Sequence, residues 1–311
     1  MSRYLVTGGA GRLGRSVVEV LAAAGHEVIS VDRVQVAGLP ALQVVADLSD
    51  ASSVRTLLVR HRPDGIVHLA GIAVPFSAPE EVTFRTNTSL AFAVIQAAQA
   101  TGVASVLLSS SPTVIGYNSP RGWKPSALPI DESHPLAPWN AYALAKVAIE
   151  EMVAATVRSS AEVRIGVFRP CYVISPEEWQ GAPTQQGHTI RERLDDPNLA
   201  AVSLFNYVDA RDAGEFVLAW LAQADTIPNG TVFFVGAADS LVREPVGEAL
   251  TRLVPGIGPL AAGLGAADPV FSSERAARLL GWRARRSWRT QLVEQPGRLG
   301  EPAGVGGEAR K

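Results

Sequence analysis

The chain has 311 residues, 47% of them apolar and 19% charged, with a net charge of -2, the make-up of a globular protein able to bury a large core. The near-neutral balance speaks against a nucleic-acid surface, no apolar run reaches membrane length, and a single cysteine excludes an internal disulfide. No basic leader precedes the first apolar run, so a cytoplasmic protein is expected.

Residues 3–7 read as a short buried strand, and Thr7-Gly8-Gly9-Ala10-Gly11-Arg12-Leu13-Gly14 follows it before the helical pattern Val17, Val18, Val20, Leu21. Glycines at 8, 11 and 14 permit a tight turn, close approach of backbone to a pyrophosphate, and close packing of helix on strand. The helix N-terminus, with Arg12 and Leu13 in its first turn, adds N–H donors. A second apolar run, 27–31, ends in Asp32, a carboxylate suited to the adenosine ribose hydroxyls of a dinucleotide. A structural glycine turn and an ordinary turn acid are the bland alternatives, and finding both in this order favours the dinucleotide. Asp32 repels a 2'-phosphate and so favours NAD, while Arg33 beside it can pair with that phosphate and keeps NADP open.

Further apolar runs at 42–46, 65–69, 105–109 and 163–168 alternate with helical stretches, the pattern of an α/β doubly wound parallel sheet. The stretch 80–101 and the helix carrying Tyr142 and Lys146 are rich in Ala and Val, so each is expected to bury more than one face. Tyr142 and Lys146 lie one helical turn apart on the same face. Five tyrosines and three lysines in 311 positions give about 0.05 chance pairs at this spacing, so the match points to chemistry. A cation beside the phenol brings proton exchange with a substrate oxygen closer to neutral pH.

After Arg169-Pro170 the alternation breaks. Residues 174–198, rich in Pro, Gln, Gly and charge, read as mostly loop with one short helix, the place for a substrate lid. The chain returns to the sheet over 206–221 and 231–235. A dinucleotide-binding domain over 1–170, rejoined by 206–236, is therefore expected, with a small C-terminal substrate-binding domain from 171–205 and 237–294 and a disordered tail over 295–311. His26, His61, His68, His134 and His188 show no ligand spacing and no acidic cluster accompanies them, so no metal is expected. The serines sit in no G-x-S-x-G elbow, which counts against a hydrolase. Cys171 reads as a small buried side chain, and Arg283, Arg285, Arg286 and Arg289 as a solvated basic cluster.

With the glycine loop, Asp32 and the Tyr142/Lys146 pair together, the chain resembles the extended short-chain dehydrogenase/reductases, the NAD-dependent epimerase/dehydratase family, over about residues 3–288. The resemblance implies that Ser111, in Ser109-Ser110-Ser111-Pro112-Thr113-Val114-Ile115-Gly116, completes the catalytic set. It implies an adenine-contacting pair in Asp47-Leu48, a strand end beside the cofactor in Leu69-Ala70-Gly71, a helix asparagine in Asn87, and Pro170 near the nicotinamide. Leu280-Gly281-Trp282 resembles the family's C-terminal signature. Tyr142 would exchange the proton, Ser111 hydrogen-bond the reacting oxygen, and Lys146 hold the nicotinamide ribose. Pairing of the two Ala/Val-rich helices across a homodimer is implied as well.

Three departures bear on the reaction. Where the family's 4,6-dehydratases carry Asp-Glu, this chain has Pro112 and Thr113, which argues against dehydration. Where its nucleotide-sugar epimerases bring an Asn and an Arg to the substrate diphosphate, this chain has Tyr172 and Ser203, with Arg191, Arg193 and Arg211 as substitutes within reach of the lid. Ile115-Gly116-Tyr117 resembles the uronate dehydrogenases, which oxidise free sugar acids, although those have Asn-His at 112–113. The expectation is an NAD(P)-dependent oxidoreductase acting on a secondary alcohol or carbonyl of a sugar, sugar acid or polyol-like small molecule, with substrate contacts at Ser111, Thr113, Tyr172 and Arg191. The alternatives are a nucleotide-sugar 4-epimerase with tightly held NAD and, in a different class, a non-catalytic dinucleotide sensor.

Overall fold

The computed structural model describes residues 1–49, 51–160 and 162–292; the tail expected over 295–311 lies outside them. The first half alternates strand and helix: β1 (Arg3–Thr7), α1 (Arg12–Ala23), β2 (Glu27–Asp32), β3 (Leu42–Val45), α2 (Ala51–His61), β4 (Gly65–His68), α3 (Glu80–Thr101), β5 (Ser105–Ser109), α4 (Ala141–Ser159) and β6 (Arg164–Pro170). Short elements follow: β7 (Val173–Ile174), α5 (Pro176–Trp179), α6 (Ile190–Asp195), α7 (Asn198–Ala201) and β8 (Val208–Asp209). The chain then forms α8 (Ala210–Gln223), β9 (Val232–Val235), α9 (Val246–Leu253), α10 (Gly258–Ala261), α11 (Glu274–Leu280) and α12 (Trp288–Gln291).

Seven strands form one parallel sheet in the order β3-β2-β1-β4-β5-β6-β9. Side chains alternate across it with period two. Val6, Val67, Leu107 and Phe168 enter one core, and their neighbours Leu5, Ile66, Val106 and Val167 enter the other. On the first face α1 packs against α8; on the second, α3 packs against α2 and α4. Both faces being covered, β4 is buried at every residue, which is why these strands read as unbroken apolar runs. The strand order reverses direction between β1 and β4, and in such sheets ligands bind outside the carboxyl ends of the strands at that point.

The first core cluster continues from Tyr4 through the C-terminal elements to Leu292, so the region after β6 shares the core of the sheet. In 174–198 the structure has two short helices where one was expected. Each begins with a capping box: Glu178 accepts from Ser175 N–H at 2.6 Å, and Glu192 from Thr189 N–H at 2.7 Å. The basic cluster is solvated, as expected, with Arg283, Arg285 and Arg289 exposed; Arg283 pairs with Glu274, Arg286 with Asp212 and Glu215, and Arg289 with Asp239. The Leu-Gly-Trp signature docks on α8, where Trp282 Nε1–H donates to Asp212 O at 3.1 Å. No helix among the described residues is long and apolar enough to cross a membrane, and no cluster of His, Cys, Asp and Glu there is arranged to hold a metal ion.

Candidate active site

The glycine loop is shaped by steric necessity. Gly8 has φ +73°, and a Cβ there would lie 2.7 Å from the Ala70 nitrogen. A Cβ on Gly14 would lie 2.1 Å from the Gly8 carbonyl, so only glycine lets α1 start this close to β1. Gly11 caps α1 in extended conformation, and a Cβ there would lie 3.2 Å from the Gly8 carbonyl oxygen. A Cβ on Gly9, not singled out from sequence, would meet Ser30 Oγ at 2.2 Å, so that hydroxyl would have to turn away. Asp32 fixes the loop, accepting from Ala10 N–H at 3.0 Å and from Arg33 N–H at 2.7 Å. A backbone cradle at a helix N-terminus beside a carboxylate fits a dinucleotide pyrophosphate and ribose. Ser49 N–H holds the exposed Asp47 carboxyl below its usual range.

Across the cleft, Thr7 Oγ1 accepts from Leu69 and Ala70 N–H, both at 3.2 Å, and fixes the end of β4. Leu48 is buried beneath the neighbouring loop while Asp47 is exposed. Asn87 is buried with both ends of its amide on the Ile72 backbone, at 2.7 and 3.0 Å, and a Cβ on Gly71 would meet its Oδ1 at 2.8 Å. Asn87 therefore positions the loop beside the cofactor site. Leu13 packs on the core, and Arg12 reaches from α1 to Glu178 on α5.

The catalytic set comes together at the end of β5. Asn140 Oδ1 accepts from Ala143 N–H at 2.9 Å and starts α4, presenting Tyr142 and Lys146 one turn apart. Ser111 Oγ accepts from Thr113 Oγ1 at 3.0 Å and Thr113 N–H at 3.3 Å, and it lies near enough to the Tyr142 phenol to favour its ionised form. Thr113 thus orients Ser111. Lys146 Nζ donates to Ser109 O at 2.7 Å and stands 5.8 Å from the Tyr142 ring centre. Burial holds the phenol above its ordinary value, against the pull of Ser111. The relief expected from Lys146 is not among the influences on the phenol, because its ammonium is directed at the Ser109 carbonyl. Burial also lowers Lys146 to about 8, with Glu150 opposing it.

A buried ion pair missed in the sequence supports this set. Glu150, one turn beyond Lys146, accepts from Arg169 at 2.8 and 2.7 Å and from Ser110 Oγ at 2.6 Å, joining α4 to β6 and to the strand end before Ser111. An acid in an otherwise Ala/Val-rich helix was the available signal. His68 lies close by, bound to Thr7 Oγ1 at 2.8 Å, and burial lowers it to about 3, so it adds no charge beside Lys146 at neutral pH.

Beyond Pro170 the picture changes. Cys171 is buried, as expected, and burial raises its thiol. β7 and β8 pair, bringing Tyr172, Ser203 and Asn206 together; Tyr172 N–H donates to Asn206 Oδ1 at 2.9 Å. Of the two α6 arginines, Arg193 meets Tyr172, with its guanidinium 4.3 Å from the ring centre, and Arg191 is exposed. Arg211 is engaged by Asp209 at 2.9 and 2.6 Å.

A glycine cradle, a carboxylate at the end of β2, and Ser111, Tyr142 and Lys146 gathered at the end of β5 fit a dinucleotide-dependent enzyme of the doubly wound class. The family model described as "NAD dependent epimerase/dehydratase family" matches residues 4–236, and the chain belongs to that family. A UDP-glucose 4-epimerase of Azospirillum brasilense is 31% identical over 158 residues, 49% of this chain and 43% of that protein. One of Streptomyces lividans is 31% identical over 160 residues, 49% of this chain and 46% of that protein. The chain spans about half the length of the curated relatives it matches. Among solved structures, an Agrobacterium tumefaciens short-chain dehydrogenase/reductase superfamily protein with bound NAD is 25% identical, with TM-score 0.69 over 93% of this chain and 94% of that one. A Stenotrophomonas maltophila UDP-glucose-4-epimerase shares the fold at 21% identity, with TM-score 0.72 over 94% and 96%.

Proposed function

We propose that this chain inverts a secondary alcohol of a sugar-derived substrate by oxidising and re-reducing the same carbon with NAD. The observation that carries the reading is the gathering of Ser111, Thr113, Tyr142 and Lys146 at the end of β5, with Thr113 bonded to Ser111 and Lys146 to the Ser109 carbonyl. Tyr142 would exchange one proton with the substrate oxygen, taking it from the hydroxyl as phenolate and returning it to the carbonyl oxygen as phenol, and Ser111 would hydrogen-bond that oxygen in both directions. Lys146, buried and bonded to the Ser109 carbonyl, brings its charge beside the phenol, and the Glu150–Arg169 pair ties α4 to β6. Bound NAD supplies reversible hydride acceptance.

The sequence placed net dehydrogenation first; the UDP-glucose 4-epimerase relatives support inversion better. So do the ion pairs Arg12–Glu178 and Arg15–Glu177, which tie α5 to the first turn of α1 and suit a retained cofactor. Net dehydrogenation of a free sugar acid is the second reading, favoured by Tyr172 and Ser203 in place of the epimerases' Asn and Arg. Incubation with UDP-glucose, UDP-galactose, free sugars and uronates, with NAD and with NADP, separates them. Interconversion without net NADH is expected; steady NADH accumulation supports the second reading, and no change with any substrate contradicts both. The homodimer is proposed to form through the α3/α4 face, where Phe84, Phe92 and Leu144 are exposed.

A further inference from the structure

Helix α1 begins against the usual rule. The positive end of a helix favours acidic side chains, yet the first turn of α1 holds no acid and starts with two arginines, Arg12 and Arg15. No side chain caps it either, so its N–H groups stay open for a pyrophosphate. The missing acids come from far along the chain. Glu178 pairs with Arg12 and Glu177 with Arg15, across 166 and 162 residues. Arg12 also reaches Pro183 O, just beyond α5, at 3.4 Å.

Both acids stand on a fixed support. Glu178 is buried and accepts from Ser175 N–H at 2.6 Å and from Ser175 Oγ at 2.7 Å. Its neighbour Trp179 donates through Nε1 to Asp209 at 2.8 Å, and Asp209, 0% exposed, is gripped by Arg211 at the start of α8. From α5 the contacts lead to the glycine loop itself. The guanidinium held by Glu177 donates to Ala10 O at 3.2 Å, while Ala10 N–H donates to Asp32 at 3.0 Å. Ala10 is therefore tied at its N–H by β2 and at its carbonyl, through Arg15, by α5. A loop rich in glycine has few side chains with which to hold its own shape, so these outside ties matter. Because the guanidinium fork is planar, Glu177 on one nitrogen fixes the direction in which the other donates.

We infer that α5 braces the cofactor cradle: Glu177 and Glu178, acting through Arg15 and Arg12, are positioning residues that hold the glycine loop in its pyrophosphate-binding shape and slow the departure of NAD. The inference rests on the dinucleotide site alone and holds for either sugar reading. Release of the reduced cofactor tests it. Protein loaded with NADH is mixed with excess NAD, and the decay of bound NADH fluorescence gives the dissociation rate. Glu177→Gln should speed release about 5-fold, through loss of a partly exposed pair and of the loop contact it directs. Arg15→Met should do the same, and the double variant should release no faster than the faster single, because all three break one chain of contacts. Arg15→Lys, which keeps the charge without the planar fork, should fall between Arg15→Met and the wild type. Glu178→Gln, which removes the buried partner of Arg12, should also speed release. Unchanged or slower release from Glu177→Gln, or accelerations that multiply in the double variant, would overturn the inference. Wild-type protein that takes up no NADH would overturn it together with the dinucleotide site. Release as expected, with no turnover of any sugar, would support the brace and strike only the Tyr142 reading.

Discussion

The two sides of the cleft are built from different materials. The side formed by the ends of β1, β2 and β4 is made of backbone: glycines packed without room for a methyl group, N–H groups at a helix start, and short polar side chains that pin the loops. The side formed after β6 is made of long side chains, with Arg193 stacked on Tyr172 and joined to Gln186 and Ser203. Steric exclusion leaves the first side few alternatives. A charge on a flexible stem reaches a given point from several backbone positions, so the second side can be rebuilt while its chemistry is kept.

Gly14→Val breaks the first side. Its Cβ would sit 2.1 Å from the Gly8 carbonyl, and that backbone cannot retreat without displacing β1. NAD binding, followed by titration, should fall at least 100-fold, with a lower melting temperature.

Glu150→Gln probes the join between the sides. It leaves the Arg169 guanidinium buried opposite an amide, a loss of roughly 3–5 kcal/mol of stability by denaturant unfolding. A pH profile of kcat/KM sharpens the comparison. Lys146, lowered to about 8, carries its charge below that pH and loses it above, so a basic limb near 8 is expected. Removing the Glu150 charge, which opposes the lowering, should move the limb to lower pH, and Lys146→Arg should move it well above.

The smallest effect is expected away from the cleft. Phe92→Glu, at a position 54% exposed on α3, should leave NAD binding intact and convert a dimer to a monomer in sedimentation. An unchanged sedimentation coefficient would contradict the proposed interface.

How far the sequence could be read follows the same division. The strand runs before residue 170 were visible because a doubly covered sheet needs continuous apolar segments, and 80–101 matches α3 residue for residue. Gly8, Gly14, Asp32 and the Tyr142/Lys146 spacing were visible because local geometry demands them. Asn87 was found on resemblance, though its amide serves the Ile72 backbone. Which arginine meets Tyr172 was hidden among three candidates, since choosing between them required the turn of α6 and the β7–β8 pairing that brings Ser203 beside Tyr172. Glu150 and Arg169 lie 19 residues apart, and only the packing of α4 on β6 makes them a pair.

The central claim, that the buried phenol of Tyr142 moves the proton, is tested most directly by Tyr142→Phe. NAD binding by titration and turnover of the substrate found in the sugar screen should be measured on the same preparation. Turnover is expected to fall by roughly 100- to 10,000-fold while NAD affinity stays at the wild-type value. A variant that binds NAD normally and keeps most of its turnover would contradict the account.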